Sequence, residues 1–378
     1  MKVAQKTVKF LTTVVIALFT TIGFALDSDT KYDSSNDGGR VNTKTEVEEY
    51  ILHHLKDSHD FSLWSYTNDD GERKHVGFPL PVILWTSEGL VTFMSSEFHH
   101  NDDGHVIVEK KGLKFAKIHS KIYELDKDAT VAVFDKEHHA TNAQKTFDLS
   151  ITKSVFGLLL IGVLMLLWFS KLARQYKTKK IPTGFGRVLE PLVLYVRDEI
   201  ARPNIGEKHY RRFTGYLLTV FFFIWILNLA GLTPLGFNVT GQIAVTACLA
   251  AFTLVIYTFS GNKEYWMHMI WMPGVPVLFR PILAVIELIG ALIIKPFSLL
   301  VRLFANISAG HIVIMSLIAI MFTLKESLGV VGATGLSLVL SFFILLIEIL
   351  VAFLQAYIFT MLSALFIGMA VAEHSEAH

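Results

Sequence analysis

Ionisable side chains lie inside two long apolar segments near the C-terminus. The first segment, 277–324, contains Arg302 and His311, and the second, 328–372, contains Glu348. Charged groups are costly inside a membrane, so such residues are usually functional. A carboxylate and an imidazole can accept and release protons, whereas an arginine keeps its proton at physiological pH. These residue types therefore predict a proton path that passes a fixed positive charge.

The first segment has one polar face if it forms a regular helix. At about 100° per residue, Arg302 and Asn306 fall on the same stripe as Glu287. His311 falls on the side opposite Arg302, roughly 13 Å further along the axis. Arg302 and His311 are therefore expected to face different surroundings.

The second segment has a row of polar residues at a spacing of seven. Ser341, Glu348 and Gln355 return to within about 20° of one face of a helix. Each segment runs for about 45 residues, so a straight helix would be nearly 70 Å long, against about 30 Å of hydrocarbon. We therefore expect a strongly tilted helical hairpin with its turn at 324–329. Counted from residue 326, Glu348 and His311 would differ in depth by roughly 10 Å on straight helices, a gap that tilt and local offset could close.

The composition is that of a membrane protein with a soluble part. Of the 378 residues, 52% are hydrophobic and 18% are charged, and the formal net charge is +1. These values exclude a disordered chain and a nucleic-acid-binding chain. Residues 27–150 are polar and residues 151–372 are strongly apolar. The single cysteine, Cys248, lies in an apolar run, which excludes a disulfide framework.

The N-terminus has the features of a secretory signal. Three lysines precede the apolar stretch 10–24, and Gly23 and Ala25 provide small residues before a cut after Ala25. Residues 1–25 are therefore predicted to be a signal peptide, with an uncleaved membrane helix as the alternative. Residues 26–150 would then be an exported soluble domain, and residues 151–378 the membrane domain.

The exported domain is predicted to be a small α+β domain. Apolar residues recur at helical spacing over 45–59. Short runs of strand character come after it at 82–85, 90–94, 105–109 and 130–134, separated by turn signals.

Histidines are concentrated in this domain, which contains ten of the 15 in the chain. His99, His100 and His105 around an aspartate pair are the candidates for a metal site. No recurrent ligand spacing occurs, and adjacent histidines rarely bind one metal together. We therefore predict no metal site and no cofactor.

The remaining apolar runs predict further membrane helices. Residues 154–170 can span a bilayer and are followed by a basic loop without acidic residues, which indicates a cytoplasmic loop and an external N-terminal domain. Residues 184–201 suit a helix at the cytoplasmic surface. With spans at 213–233 and 239–260 and the hairpin, the fold class is an all-α polytopic membrane protein of about five membrane helices.

Three motifs resemble those of one family. They are residues 295–311 (KPFSLLVRLFANISAGH), 354–359 (LQAYIF) and 228–234 (NLAGLTP). The sequence is similar to subunit a of F-type ATP synthases over about 150–372.

The resemblance implies roles for individual residues. Arg302 matches the obligatory arginine of the family, Asn306 its polar residue one turn later, and Gln355 the glutamine of the final helix. The family often has a glutamate at the position of His311 and a histidine at that of Glu348, so the acid and the imidazole are exchanged here.

Two further matches are weaker. Glu287 lies about one residue from the family's acidic position on the cytoplasmic side of the arginine. Asn238 falls near a polar position at the outer end of the third span.

The implied function is that of a proton-translocating stator subunit of the F0 sector, with two half-channels against a ring of c subunits. Further implied partners are the b-subunit peripheral stalk, the F1 sector through the assembled complex and the lipid bilayer, with no nucleic acid. The implied location is the bacterial inner membrane, with a periplasmic N-terminal domain and a cytoplasmic C-terminus. The sequence leaves open whether the ion is H⁺ or Na⁺.

Two other functions compete with this interpretation. A secondary transporter with an exported binding domain would show internal repeats with paired broken helices. An intramembrane protease would show a motif such as HExxH in its spans. The sequence shows neither feature.

Overall fold

A computed structural model describes most of the chain. It describes residues 57–67, 73–99, 101–118, 120–126, 142–178, 181–233, 239–271, 276 and 278–372. The signal peptide at 1–25, most of the helix at 45–59 and the strand at 130–134 lie outside these residues. Residues 57–59 at the end of that helix prediction are not helical.

The described part of the chain divides into two compact units. The first contains all the described strands, the beginning of the first membrane helix and residues 315–341. The second contains residues 158–229, 238–314 and 342–378.

The described residues form nine strands in three antiparallel sheets. The strands are β1 (Asp60–Thr67), β2 (Arg73–Pro79), β3 (Pro81–Thr86), β4 (Gly89–Met94), β5 (Asp103–Lys110), β6 (Leu113–Ile118), β7 (Lys121–Leu125), β8 (Ala143–Lys145) and β9 (Phe147–Asp148). Their orders are β1-β2, β4-β3-β9 and β5-β6-β7-β8. The strands predicted at 82–85, 90–94 and 105–109 are confirmed as β3, β4 and β5.

Alternating burial explains why the second and third sheets share a core. Val82 and Leu84 of β3 are fully buried, whereas Trp85 is 60% exposed. The buried side chains of β3 and β4 join Phe115 of β6 and Ile122 of β7 in one hydrophobic cluster. Burial of such side chains stabilises by about 1.5–3 kcal/mol each.

A buried ion pair lies within the same unit. The Lys117 ammonium donates to Asp60 at 3.0 Å, and the two side chains are only 5% and 8% exposed. The Ser95 hydroxyl donates to the same carboxylate at 2.6 Å, and Asp102 lies 3.7 Å from the ammonium. Each buried charge therefore has a partner, as its desolvation requires.

A second polar contact joins β9 to the residue before β1. The His59 ring lies 2.8 Å from the Asp148 carboxylate, whose other oxygen accepts the Ser150 N–H at 2.8 Å. Burial alone would raise the pKa of Asp148, but these hydrogen bonds hold that pKa below its usual value of 3.8. Because the folded pKa is depressed, this carboxylate stabilises the fold above pH 3.8, and the stabilisation is lost on acidification through the folded pKa.

The rest of the described chain is helical. The helices are α1 (Lys153–Thr178), α2 (Gly186–Tyr195), α3 (Arg202–Ile205), α4 (Tyr210–Gly231), α5 (Ile243–Ser260), α6 (Lys263–Ile270), α7 (Arg280–Ile289), α8 (Lys295–Thr323) and α9 (Lys325–Val371). Within the described residues, five stretches are long and apolar enough to span a membrane: Lys153–Lys177, Tyr210–Gly231, Ile243–Ser260, Arg280–Ile314 and Ser327–Val371. The prediction of a polytopic membrane protein with about five membrane helices is confirmed.

Two π-helical turns interrupt these helices. Val196–Ala201 joins α2 to α3, and Gly290–Ile294 joins α7 to α8. Pro296 lies just after the second turn, and a proline ring clashes with the carbonyl four residues earlier in a regular helix. The helix through 287–311 is therefore not regular, because the wider turn before Pro296 accommodates the proline.

We expect the buried ion pair to matter far more than a surface pair in the same unit. Asp60→Asn leaves the Lys117 ammonium buried without its nearest carboxylate, which should lower the free energy of unfolding by about 3–5 kcal/mol. The matched control is Glu97→Gln, because the Glu97–Lys110 pair is also 3.0 Å long but its side chains are 37% and 39% exposed. That control should cost about 1 kcal/mol or less. Native-state hydrogen exchange of the full chain measures both values, and equal losses would contradict the interpretation.

Candidate functional site

Polar side chains meet between the two longest helices of the second unit. The Asn306 amide on α8 donates to the Gln355 side-chain oxygen on α9 at 2.7 Å. Gln355 is only 1% exposed, whereas Asn306 is exposed. Among the described residues, the Gln355 Nε2 has no hydrogen-bond partner. The pair therefore presents one buried amide nitrogen, the Gln355 Nε2, whose two N–H donors are free to bind water or an ionisable group.

A carboxylate lies in the same interface, two helical turns before Gln355. Glu348 is half-buried on α9 and packs against Gly310 of α8. A Cβ atom at Gly310 would lie only 2.6 Å from the carboxyl carbon of Glu348. The missing side chain of Gly310 thus makes the space that this carboxylate occupies.

The chain reversal explains this register. Gly329 has φ 70°, a conformation that favours glycine, and it breaks the helical path at the start of α9. Gly310 and Glu348 are each 19 residues away from Gly329. The predicted turn at 324–329 is confirmed, and the depth difference of roughly 10 Å between Glu348 and His311 that straight helices would give is closed by the local offset that the sequence left open. The reversal lies at Gly329, three residues after the point assumed from the sequence. Glu348 therefore lies level with Gly310, the residue before His311.

Arg302 lies one turn before Asn306 on the uninterrupted helix α8. Residues four apart share a helix face, so the two side chains lie on the same side of α8. Arg302 is half-buried, and among the described residues no carboxylate lies within ion-pair distance of it. The backbone of His311 is helical and nine residues further on, which places it on the opposite face. Its side chain is not among the described parts.

Glu287 lies beyond the second π-helical turn, exposed on α7. The turn inserts about one residue into the helix, which rotates the residues of α8 by about 100° relative to Glu287. Arg302 would lie about 60° from Glu287 in a regular helix and lies about 40° to the other side once the surplus residue is counted, so the two residues stay on one side of the helix. The hydroxyl of Tyr257 donates to the Ala291 carbonyl inside the turn, which satisfies a backbone acceptor there.

The remaining predicted residues lie away from this interface or outside the described chain. Ser341 is half-buried on α9, and Asn238 lies outside the described residues. His99 ends a short 3₁₀ turn at φ 49°, the His105 backbone donates to Asn101, and His100 is not described. Within the described ranges, no three metal-ligating side chains lie together.

Two glycines matter to the packing and were not singled out from the sequence. Gly310 accommodates Glu348, and a Cβ at Gly368 of α9 would collide with the backbone of Asn204 in α3. Glycine costs about 1 kcal/mol relative to alanine inside a helix, so a glycine there signals a packing requirement. Asn262 also holds the end of α9, since it donates to the carbonyls of Ala370 and Val371.

The fold and the polar interface define a class of protein, a polytopic membrane protein with ionisable groups between its last two helices. The family model described as "ATP synthase A chain" matches residues 155–368, more than half of the chain. A second model, "Domain of unknown function (DUF8433)", matches residues 50–149. The chain therefore belongs to the ATP synthase A chain family.

Similar proteins support this membership. "ATP synthase subunit a 2" of Chlorobaculum tepidum is 45% identical over 240 residues, which cover 61% of this chain and 66% of the relative. "ATP synthase subunit a" of Chlorobium phaeobacteroides is 46% identical over 241 residues, covering 61% and 68%. The protein of that name from Myxococcus xanthus is 43% identical over 239 residues, covering 61% and 77%. The chain thus spans about two thirds of the first two relatives.

We predict that Gly310→Ala disturbs the site without unfolding the helices. The new methyl group must displace the flexible Glu348 carboxylate rather than backbone. Proton pumping by the assembled complex should fall by roughly tenfold, the change expected for about 1.4 kcal/mol of barrier. The matched control is Gly335→Ala on α9, where an added Cβ meets nothing within 4 Å. Unchanged pumping in the Gly310 variant would show that the position of Glu348 is not critical.

Proposed function

We propose that α8 and α9 of this proton-translocating subunit line two offset half-channels, which open to opposite sides of the membrane. The observation that carries the proposal is the hydrogen bond between Asn306 and Gln355, with Glu348 in the same helix interface. Polar groups are placed there at a cost, since the surrounding helix surfaces are apolar. Their arrangement along one interface suits stepwise proton transfer.

The inlet passes the acid and the imidazole. Protons from the outer side reach Glu348 and His311 and continue toward Asn306 and Gln355. Glu348 packs against Gly310, which precedes His311 in the chain, so the two titratable residues occupy neighbouring levels of the membrane. The free Nε2 of Gln355 can hold a water molecule or orient the carboxylate of the rotating partner.

Arg302 separates the two paths. It attracts the deprotonated carboxylate of a c subunit and blocks direct passage of a proton. At 4 Å and an effective dielectric constant near 20, two opposite charges attract by about 4 kcal/mol, compared with about 1 kcal/mol in water. Among the described residues, Arg302 has no carboxylate partner, so its charge is available to the carboxylate of a c subunit.

The outlet leads toward Glu287. This carboxylate is exposed on α7, and the half-buried Lys295 ammonium lies 5.5 Å from the ring centre of Phe366. A proton released from the ring on this side would leave past Glu287 to the cytoplasm.

Membership of the family places the chain in the ATP synthase complex. We infer that its direct partners are the ring of c subunits and the b-subunit peripheral stalk, with F1 reached through the assembled complex. The half-channels need a rotating acceptor, and the exposed apolar surface of α8 and α9 offers a contact for it.

We further infer a bacterial inner membrane, with residues 1–25 as an export signal and residues 26–150 as a periplasmic domain before the membrane domain at 151–378. Two features support this orientation. The basic residues that end α1 favour the cytoplasm, and the five candidate spans, within the described residues, put the two ends of the membrane domain on opposite sides. The C-terminus is then cytoplasmic.

The central prediction concerns Arg302. Arg302→Ala should abolish ATP synthesis driven by a proton gradient, because the loss of about 4 kcal/mol of attraction corresponds to roughly a thousandfold change. Arg187→Ala is the control, since it removes an exposed arginine of α2 outside the spans. Synthesis by reconstituted complexes measures both, and retained coupled synthesis in Arg302→Ala would disprove the channel assignment.

A second prediction concerns the exchanged acid and imidazole. Glu348→Gln should slow proton entry strongly, by roughly 10²–10⁴-fold, because it removes a group that accepts and releases protons. The double exchange of His311→Glu with Glu348→His should restore more activity than either single change, since a relay needs both groups in either order. Passive proton conduction through F1-stripped membranes is the measurement. A double variant no better than the worse single variant would indicate two independent sites.

A further inference from the structure

The outer face of the β4-β3-β9 sheet carries large apolar side chains that the described residues of its own unit leave exposed. Trp85 pairs across the strands with Leu90 on one side and with Phe147 on the other, so the three lie in one row. They are 60%, 47% and 68% exposed. Leu149 and Met94 extend this face and are 51% and 42% exposed. We call these five residues the apolar face.

The chain between the apolar face and the first membrane helix stays hydrogen-bonded to β3. After β9, the Leu149 N–H donates to the Ile83 carbonyl at 2.9 Å, and the Ile151 N–H donates to the Pro81 carbonyl at 3.1 Å. The chain after β9 therefore remains bonded to β3 until two residues before α1 begins.

The beginning of α1 is also hydrogen-bonded to the residues that lead into β1. The Lys153 N–H donates to the Ser58 carbonyl at 2.8 Å, and the Ser154 N–H donates to the Asp57 carboxylate at 3.0 Å. The second of these bonds caps the N-terminus of the helix. The strand unit is thus attached to α1 by a short, hydrogen-bonded connection.

The strands reach past the first residue of the span. Phe156 lies in the first turn of α1, inside the candidate span Lys153–Lys177. Its ring packs 5.6 Å from Phe61 of β1 and 5.3 Å from Phe78 of β2. Phe78 is itself 42% exposed. Side chains of this unit therefore lie at the depth where the chain enters the bilayer.

We propose that the apolar face lies against the lipid headgroups and upper acyl chains of the leaflet from which α1 enters the membrane. Leu149 is four residues before Lys153, so the chain length limits their separation to about 13 Å. The bilayer is an apolar medium that the chain enters at this level, through the candidate span Lys153–Lys177. Tryptophan favours the membrane interface, where one part of its ring meets apolar chains and its N–H meets water. Exposed apolar patches of this kind mark interaction surfaces.

Site-directed spin labelling of the full chain tests the proposal. In a Cys248→Ser background, Trp85→Cys and Phe147→Cys are labelled separately and reconstituted in vesicles of phosphatidylethanolamine and phosphatidylglycerol. The control is Lys121→Cys, an exposed position on β7 in a different sheet. Labels on the apolar face should show a several-fold higher ratio of oxygen to nickel-chelate accessibility than the control label.

Three results would overturn the proposal. The first is that the labels on the apolar face are as accessible to the nickel chelate as the control label at position 121. The second is a face that becomes shielded from both reagents only when the other subunits of the complex are added, because its occupant is then a protein. The third is a ratio of oxygen to nickel-chelate accessibility that is the same in vesicles and in detergent-free aqueous amphipol. If Trp85→Cys fails to fold, Phe147→Cys and Leu149→Cys carry the same test, since both positions are more than half exposed.

Discussion

A polar group inside the membrane must find its partner within the protein, and the contact between Asn306 and Gln355 meets that constraint across two helices. This hydrogen bond fixes how far α8 and α9 slide along each other. In the same interface, one turn after Asn306 on α8 and two turns before Gln355 on α9, Gly310 leaves room for the Glu348 carboxylate. The position of the acid therefore depends on one missing side chain.

The breaks in the helices are as important as the helices themselves. Gly329 reverses the chain, and the turn Gly290–Ile294 separates Glu287 from the arginine. Each break has a local cause, a positive φ in one case and the neighbouring Pro296 in the other. The surrounding structure then supports it, as the Tyr257 hydroxyl does for the carbonyl of Ala291.

Sequence reasoning identified the features that depend on local composition. The apolar runs predict the membrane spans, and the alternation of apolar and polar residues predicts β3 and β4. The separation of nine residues between Arg302 and His311 predicts opposite faces of a helix. It could not find the wider turn at Gly290–Ile294, because a periodicity argument assumes one helix type throughout. It missed β1 and β2, where an irregularity between Ser62 and Trp64 breaks the two-residue alternation. The depth of Glu348 stayed open, since the location of the reversal within 324–329 depends on tertiary packing.

The π-helical turn also allows the number of residues between two side chains to change without a change in the direction that each side chain faces. In a regular helix, an insertion or deletion of one residue rotates every later side chain by about 100° and would turn Arg302 to another face of the helix. A turn that already holds one surplus residue can gain or lose that residue locally. The chain on one side of the turn can then change length while the side chains on the other side keep their directions. Glu287 and Arg302 can thus change their separation along the chain without a change in the direction that either side chain faces.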